Sequence, residues 1–249
     1  LCAPGILAHD RRAGLMLIED LGDTDFAAWI IDHPEDEFSL YSAAINVLIR
    51  LSALTPPSGL VALDPENAAT MTRITWDWYA PETAEPLADV ITKTLQRLFT
   101  ELAPCPDTIA LRDFHAENLI WLPDRVGLDR VGLLDFQDAI VADSAYDLAS
   151  LLRDVRRDVP IALPAAMIDR FAEATGQDRA DLAARCALCG LQRNLRILGV
   201  FARLARRDGK ARYLSFVPRL RQLIAQDLAH PALAELAPPM IDALHLGDT

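Results

Sequence analysis

The chain has 249 residues, 51% of them hydrophobic and 24% charged, which is enough apolar material for a sizeable core and too much for a disordered chain. Its formal net charge of -12 excludes nucleic acid and an anionic membrane surface as partners, since both demand a basic face. No apolar run approaches the ~18–20 residues needed to span a bilayer, and no signal peptide is visible, so a cytoplasmic location is expected.

In chain order, residues 3–22 read as two short strands, PGILAHD and GLMLIED, joined by the polar turn Arg11-Arg12-Ala13-Gly14. The segment EFSLYSAAINVLIRLSAL has apolar residues at helical spacing and stops before Pro56-Pro57. ENAATMTRITWDWYAP reads as one helix, with Trp76, Trp78 and Tyr79 as core. AEPLADVITKTLQRLFTELA reads as another, ended by Pro104. The middle changes character: TIALRDFHAENLIWLP and RVGLLDFQDA are short β-like runs around polar clusters, separated by the turn DRVGLD. Helical periodicity resumes at SAYDLASLLRDVRRD and continues through four or five segments. Cys186 and Cys189 form a C-x-x-C within helical sequence, without the second half that a zinc site requires, and read as buried thiols in a reducing compartment. The expected class is α+β: a hinge-like pair of strands over 1–22, then a mostly helical body over 23–249 carrying a β insertion at 108–140.

The insertion holds the unusual polar residues. Asp113 is followed five residues later by Asn118, an apolar strand leads to Leu134-Asp135-Phe136, and Asp147 follows in Tyr146-Asp147-Leu148. Phosphoryl transfer needs a carboxylate to orient and deprotonate a hydroxyl, and oxygen ligands to hold magnesium on phosphates. Each element alone is weak, because Asp and Asn are common loop and cap residues. The three together, in this order, are specific.

The order Asp-x4-Asn, strand, Asp-Phe resembles the catalytic and metal-binding loops of protein-kinase-like enzymes, and most closely the aminoglycoside phosphotransferase family. His115 matches that family's second loop histidine, whereas Leu111 stands where its first is usual. The resemblance implies a protein-kinase-like fold, with ATP and Mg²⁺ as cofactors. It makes Asp113 the base, Asn118 and Asp135 the metal ligands, and His115 and Asp147 braces of the loop. Glu19-Asp20-Leu21 matches the hinge that binds adenine, with Glu19 and Leu21 as the cofactor-binding residues. The run from Gln192 to Arg203, with Tyr213-Leu214 beyond it, is similar to the C-terminal region of the bacterial anomeric kinases for N-acetylmuramate and N-acetylglucosamine. That resemblance implies a small-molecule acceptor phosphorylated on a sugar hydroxyl. Arg193 and Asn194 become candidates for an acidic sugar, while Glu117, Asp138 and Asp143 keep an ammonium-bearing aminoglycoside open.

One absence points elsewhere. There is no G-x-G-x-x-G, and the two lysines, Lys93 and Lys210, lie outside any strand after such a loop. Leu1 begins as if in mid-domain, so a β-rich lobe upstream is expected. A catalytically silent, kinase-shaped binding module is the alternative reading.

Overall fold

The computed structural model describes residues 1–247. The first two strands, β1 (Ile6–Asp10) and β2 (Leu15–Ile18), pair antiparallel, with a register shift between Ile6 and Ala8. Their turn is set by Asp10, whose carboxylate accepts the N–H groups of Arg12 (2.8 Å) and Ala13 (3.1 Å), and by Gly14 at φ +67°. Every residue of this ribbon is exposed, apolar side chains included.

The helical body starts at α1 (Phe26–Asp32), followed by α2 (Glu37–Ser52), α3 (Pro65–Thr70), α4 (Arg73–Trp78) and α5 (Glu85–Leu102). The expected single helix over 66–81 is two. At Thr72 the hydroxyl turns back to the Ala69 carbonyl (2.7 Å), and the N–H of Thr72 also reaches only as far as Ala69. This tight turn re-aims α4 onto another helix, so tertiary packing overrides the local periodicity. Trp76 is buried, and Trp78 and Tyr79 are half-buried.

Four short strands follow: β3 (Thr108–Ala110), β4 (Leu119–Trp121), β5 (Val131–Leu133) and β6 (Ile140–Ala142). They form two antiparallel pairs, β3 with β6 and β4 with β5. Loop backbone extends both. The Leu133 N–H donates to the Cys2 carbonyl (2.8 Å), and the chain at 61–63 bonds Val141 in both directions. The remaining helices are α6 (Ala145–Leu152), α7 (Ala162–Thr175), α8 (Arg179–Asp208), α9 (Val217–Leu228) and α10 (Ala237–Leu244).

The 30-residue α8 is the spine. Asp178 caps it by accepting from the N–H groups of Ala180 and Asp181, and Gly209 at φ +67° ends it. From Cys186 through Leu195 every residue is buried, as expected of a helix surrounded on all sides. Two glycines make this possible. A Cβ at Gly190 would lie 2.6 Å from a carboxylate oxygen of Asp227 on α9, and one at Gly199 would lie 2.5 Å from the backbone of Ile74 on α4. Cys186 and Cys189 are buried free thiols on this helix, and burial pushes the Cys186 pKa up to about 12. Among the described residues, no helix is long and apolar enough to cross a membrane.

Candidate active site

The loop from Leu111 to Asn118, between β3 and β4, is held from two sides. Asp147, in the first turn of α6 and almost fully buried, accepts the N–H groups of Leu111 (2.5 Å) and Arg112 (3.0 Å), one on each oxygen. Burial pushes the Asp147 pKa up to about 7, while those two hydrogen bonds pull it down. The Asp147 anchor sits where the backbone is strained, since Arg112 has φ +76°. From the other side, the Asn118 side-chain amide donates to the Asp113 carbonyl (2.9 Å). His115 is buried beneath the loop. Burial, helped by the charges of Arg156 and Arg193, pushes its pKa down to about 3, so the ring is neutral. What the loop presents outward is Asp113, with a half-exposed carboxylate 3.6 Å from the guanidinium of Arg193.

The β4–β5 hairpin delivers the second acid. Because Leu119 pairs with Leu133, Asn118 and Leu134 flank the same end of the hairpin, and the Leu134 N–H donates to the Asn118 carbonyl (3.1 Å). Asp135 comes next, exposed, at φ +59°, with one oxygen accepting from the Gln137 amide (2.7 Å). Since the Asn118 amide nitrogen is occupied by Asp113, its oxygen remains for a cation, and Asp135 adds a carboxylate at the same end of the hairpin. These are hard oxygen donors. Among the described residues no group of three or more His, Cys, Asp or Glu could hold a metal alone. One carboxylate and one amide oxygen, completed by substrate phosphates, is a donor set that suits Mg²⁺.

The structure sorts the remaining candidates. Glu19 leaves β2 with its side chain tied to the Gly5 N–H (3.1 Å) and to Arg125 (2.8 Å), and those bonds hold its carboxyl below the usual range. Leu21 packs with Cys2 and Ile120 under the hairpin. Asp138 lines a cleft of about 410 Å³ beside Arg112, Asn67 and Met71. Glu117 is not brought there; it pairs with Arg156 (3.0 Å) on the α1 side. Asp143 is locked by both oxygens to Arg185 (2.8 and 2.9 Å). Arg193 faces Asp113, but Asn194, one step round α8, is fully buried beside Asp227. Arg196 lies at i, i+3 from Arg193, which puts both on one helix face, and it is half-buried.

A helical body presenting a braced Asp–Asn loop and a second Asp at a hairpin end is the architecture of a phosphotransferase of the protein-kinase-like fold. Solved structures share it. A choline/ethanolamine kinase family protein from Mesorhizobium loti superposes with a TM-score of 0.63 over 99% of this chain and 80% of that one, at 15% identity. APH(2'')-IIia, in its GDP and kanamycin complex, gives 0.59 over 92% and 76%, at 16% identity. The model of the phosphotransferase enzyme family matches residues 2–188, and the chain belongs to that family. It is also 40% identical to the N-acetylmuramate/N-acetylglucosamine kinase of Caulobacter vibrioides, over 95% of this chain and 69% of that protein. Identity to the protein of the same name from Pseudomonas aeruginosa is 30%, over 94% and 71%.

Proposed function

We propose that this chain transfers the γ-phosphoryl group of ATP to the anomeric hydroxyl of an N-acetylated amino sugar, giving a sugar 1-phosphate and ADP. The observation that carries this reading is the braced loop that offers Asp113, with two oxygen donors beside it. It is supported by similarity, over nearly the whole chain, to kinases named for N-acetylmuramate and N-acetylglucosamine. Residues 1–22 form the nucleotide side, where the backbone of Glu19–Leu21 meets adenine, and residues 23–249 form the acceptor side.

Asp113 accepts the hydroxyl proton as the sugar oxygen attacks phosphorus and the bond to ADP breaks. An anomeric hydroxyl is more acidic than an ordinary alcohol, so an unassisted carboxylate suffices as base. Asp147 and the Asn118 amide fix where that carboxylate points. The Asn118 oxygen and the Asp135 carboxylate would hold Mg²⁺, which, when bound, neutralises charge on the phosphates. His115, neutral and buried, supports the loop without exchanging protons at ordinary pH.

An aminoglycoside acceptor would need acids to receive its ammonium groups. Glu117 and Asp143 are engaged by Arg156 and Arg185, which leaves Asp138 alone in the cleft. The test incubates the protein with ATP and either sugar, following ADP and reducing ends together. Phosphorylation at the anomeric oxygen removes one reducing end per ADP. ADP formed with reducing ends intact would refute the anomeric assignment, and turnover restricted to aminoglycosides would refute the sugar. Asp113→Asn should cut turnover about 10²–10⁴-fold with nucleotide affinity nearly unchanged.

A further inference from the structure

Three arginines meet beside Asp113 with little to bind. Arg193 is 3% exposed, yet it makes no hydrogen bond among the described residues; its one ionic neighbour, Asp113, is 3.6 Å away and half in solvent. Arg196, one turn on along the same face of α8, is half-buried. Arg112 sits next to Asp113 in the loop and lines the 410 Å³ cleft. Among the described residues neither of these two side chains donates a hydrogen bond. All three charges act on the buried phenol of Tyr146, and the Arg196 pKa is lowered by burial first and then by the Arg112 charge. The nearby Asp147 carboxylate is already spent on two backbone N–H groups.

This is costly. Removing a guanidinium from water without a partner is unfavourable, and stacking like charges adds to it. Three half-buried arginines elsewhere are ion-paired, Arg153 with Asp227, Arg157 with Glu37 and Arg185 with Asp143, although Arg130 and Arg203 also leave a buried Nε without a partner. A chain of net charge -12 has acids to spare, yet among the described residues none is hydrogen-bonded to these three side chains. The arrangement fits an anion that arrives with a ligand. In the proposed reaction magnesium and the transferred phosphate belong at the Asn118–Asp135 end of the hairpin, whereas Arg112 lines the cleft and Arg196 lies a turn beyond Arg193 on α8.

We infer that Arg112, Arg193 and Arg196 form an acid-recognition subsite for a carboxylate on the acceptor sugar, and that this subsite sets the preference for an acidic over a neutral amino sugar. The inference rests on the sugar-kinase reading for its substrate, and extends it to specificity. Planar guanidinium groups bind carboxylate in a two-pronged manner that an ammonium cannot match. N-acetylmuramate differs from N-acetylglucosamine by a lactyl ether that ends in such a carboxylate.

Arg196 is the residue to change, because it is half-buried and, unlike Arg193, makes no ion pair with Asp113. For Arg196→Gln, the ratio of kcat/KM for N-acetylmuramate to that for N-acetylglucosamine is expected to fall about 10- to 100-fold. The KM for ATP should stay within about twofold, and Arg196→Lys should restore part of the ratio. Equal losses for both sugars, or a matching rise in the KM for ATP, would assign the arginines to structure or to the nucleotide phosphates and overturn the inference. Calorimetric binding of both sugars without nucleotide separates the two readings. If neither sugar is phosphorylated, but the unaltered protein binds the acidic one more tightly and Arg196→Gln abolishes that advantage, the kinase reading fails and the subsite stands. If the unaltered protein binds both sugars equally, the subsite fails whatever the turnover.

Discussion

Replacing Asp147 by Asn tests how the catalytic loop is held. The carboxylate receives two N–H donors, one per oxygen, at 2.5 and 3.0 Å, in a site 3% exposed. Asn has one acceptor oxygen, so its NH₂ group must face either Leu111 or Arg112, donor against donor. The loss is one charge-assisted hydrogen bond, about 1.5–3 kcal/mol, including the cost of a buried N–H left unpaired. The backbone of Arg112 offsets part of this, since its φ of +76° stores about 1–2 kcal/mol that is released if the loop relaxes without the anchor. Relaxation toward negative φ would swing Asp113, the next residue, away from its position. We expect Asp147→Asn to lower unfolding free energy by about 1–2 kcal/mol in urea titration, with an unchanged denaturant slope. The kcat should fall about 100-fold, the scale of a misplacement near 1 Å. A variant within 0.5 kcal/mol of the parent (roughly the spread of neutral surface changes) that retained full kcat would refute the anchoring role.

Asp135→Asn should leave stability almost unaltered, because Asn tolerates the left-handed φ of +59°, while lowering turnover in a way that excess Mg²⁺ partly restores. No response to Mg²⁺ would remove Asp135 from the metal site. Gly199→Ala would stabilise an unobstructed helix by about 1 kcal/mol. Here the new Cβ meets Ile74 backbone at 2.5 Å and strains the 2.7 Å bond from the Thr75 hydroxyl to the Leu195 carbonyl, so a net loss of about 2 kcal/mol is expected by thermal or urea unfolding. A stabilised variant would contradict the α4–α8 contact. His115 has its folded pKa depressed to about 3, so its contribution is fully present above the unfolded value near 6.5 and is lost as pH falls toward 3. Between pH 7 and 5 that loss is about 2 kcal/mol. Asp147 and Asp227, both raised to about 7, act with the opposite sign, losing stability as pH rises through 7. The His115 effect is therefore read as the difference between the parent and His115→Asn titrations, and parallel curves would exclude it.

What could be read from the sequence was what is written locally. The helices α2 and α5 show 3.6-residue periodicity with prolines beyond their ends, and both form as expected. Asp113, Asn118 and Asp135 sit within one β insertion, so their order alone brings them close together; the Leu119–Leu133 pairing then brings the last two to one end of a hairpin. The break at Thr72 was not legible, because its cause is a close approach between Ile74 and Gly199, far apart in the chain. The partners of the acids were not legible for a similar reason. Glu117, Asp138 and Asp143 look equivalent as formal charges, but Arg156 and Arg185 claim the first and last, and only the folded chain assigns those partners. The arginines were only partly legible. A helical wheel groups Arg193 with Arg196, but a basic stripe on a helix is ordinarily solvated, and nothing local says otherwise. It takes the buried run from Cys186 to Leu195 to carry this face into the core, and the loop between β3 and β4 to bring Arg112 up to it. The charge that matters for an acceptor is thus the charge left over after folding has paired the rest. By that measure the face formed by Arg112, Arg193 and Arg196 is basic, in a chain whose overall charge is strongly negative.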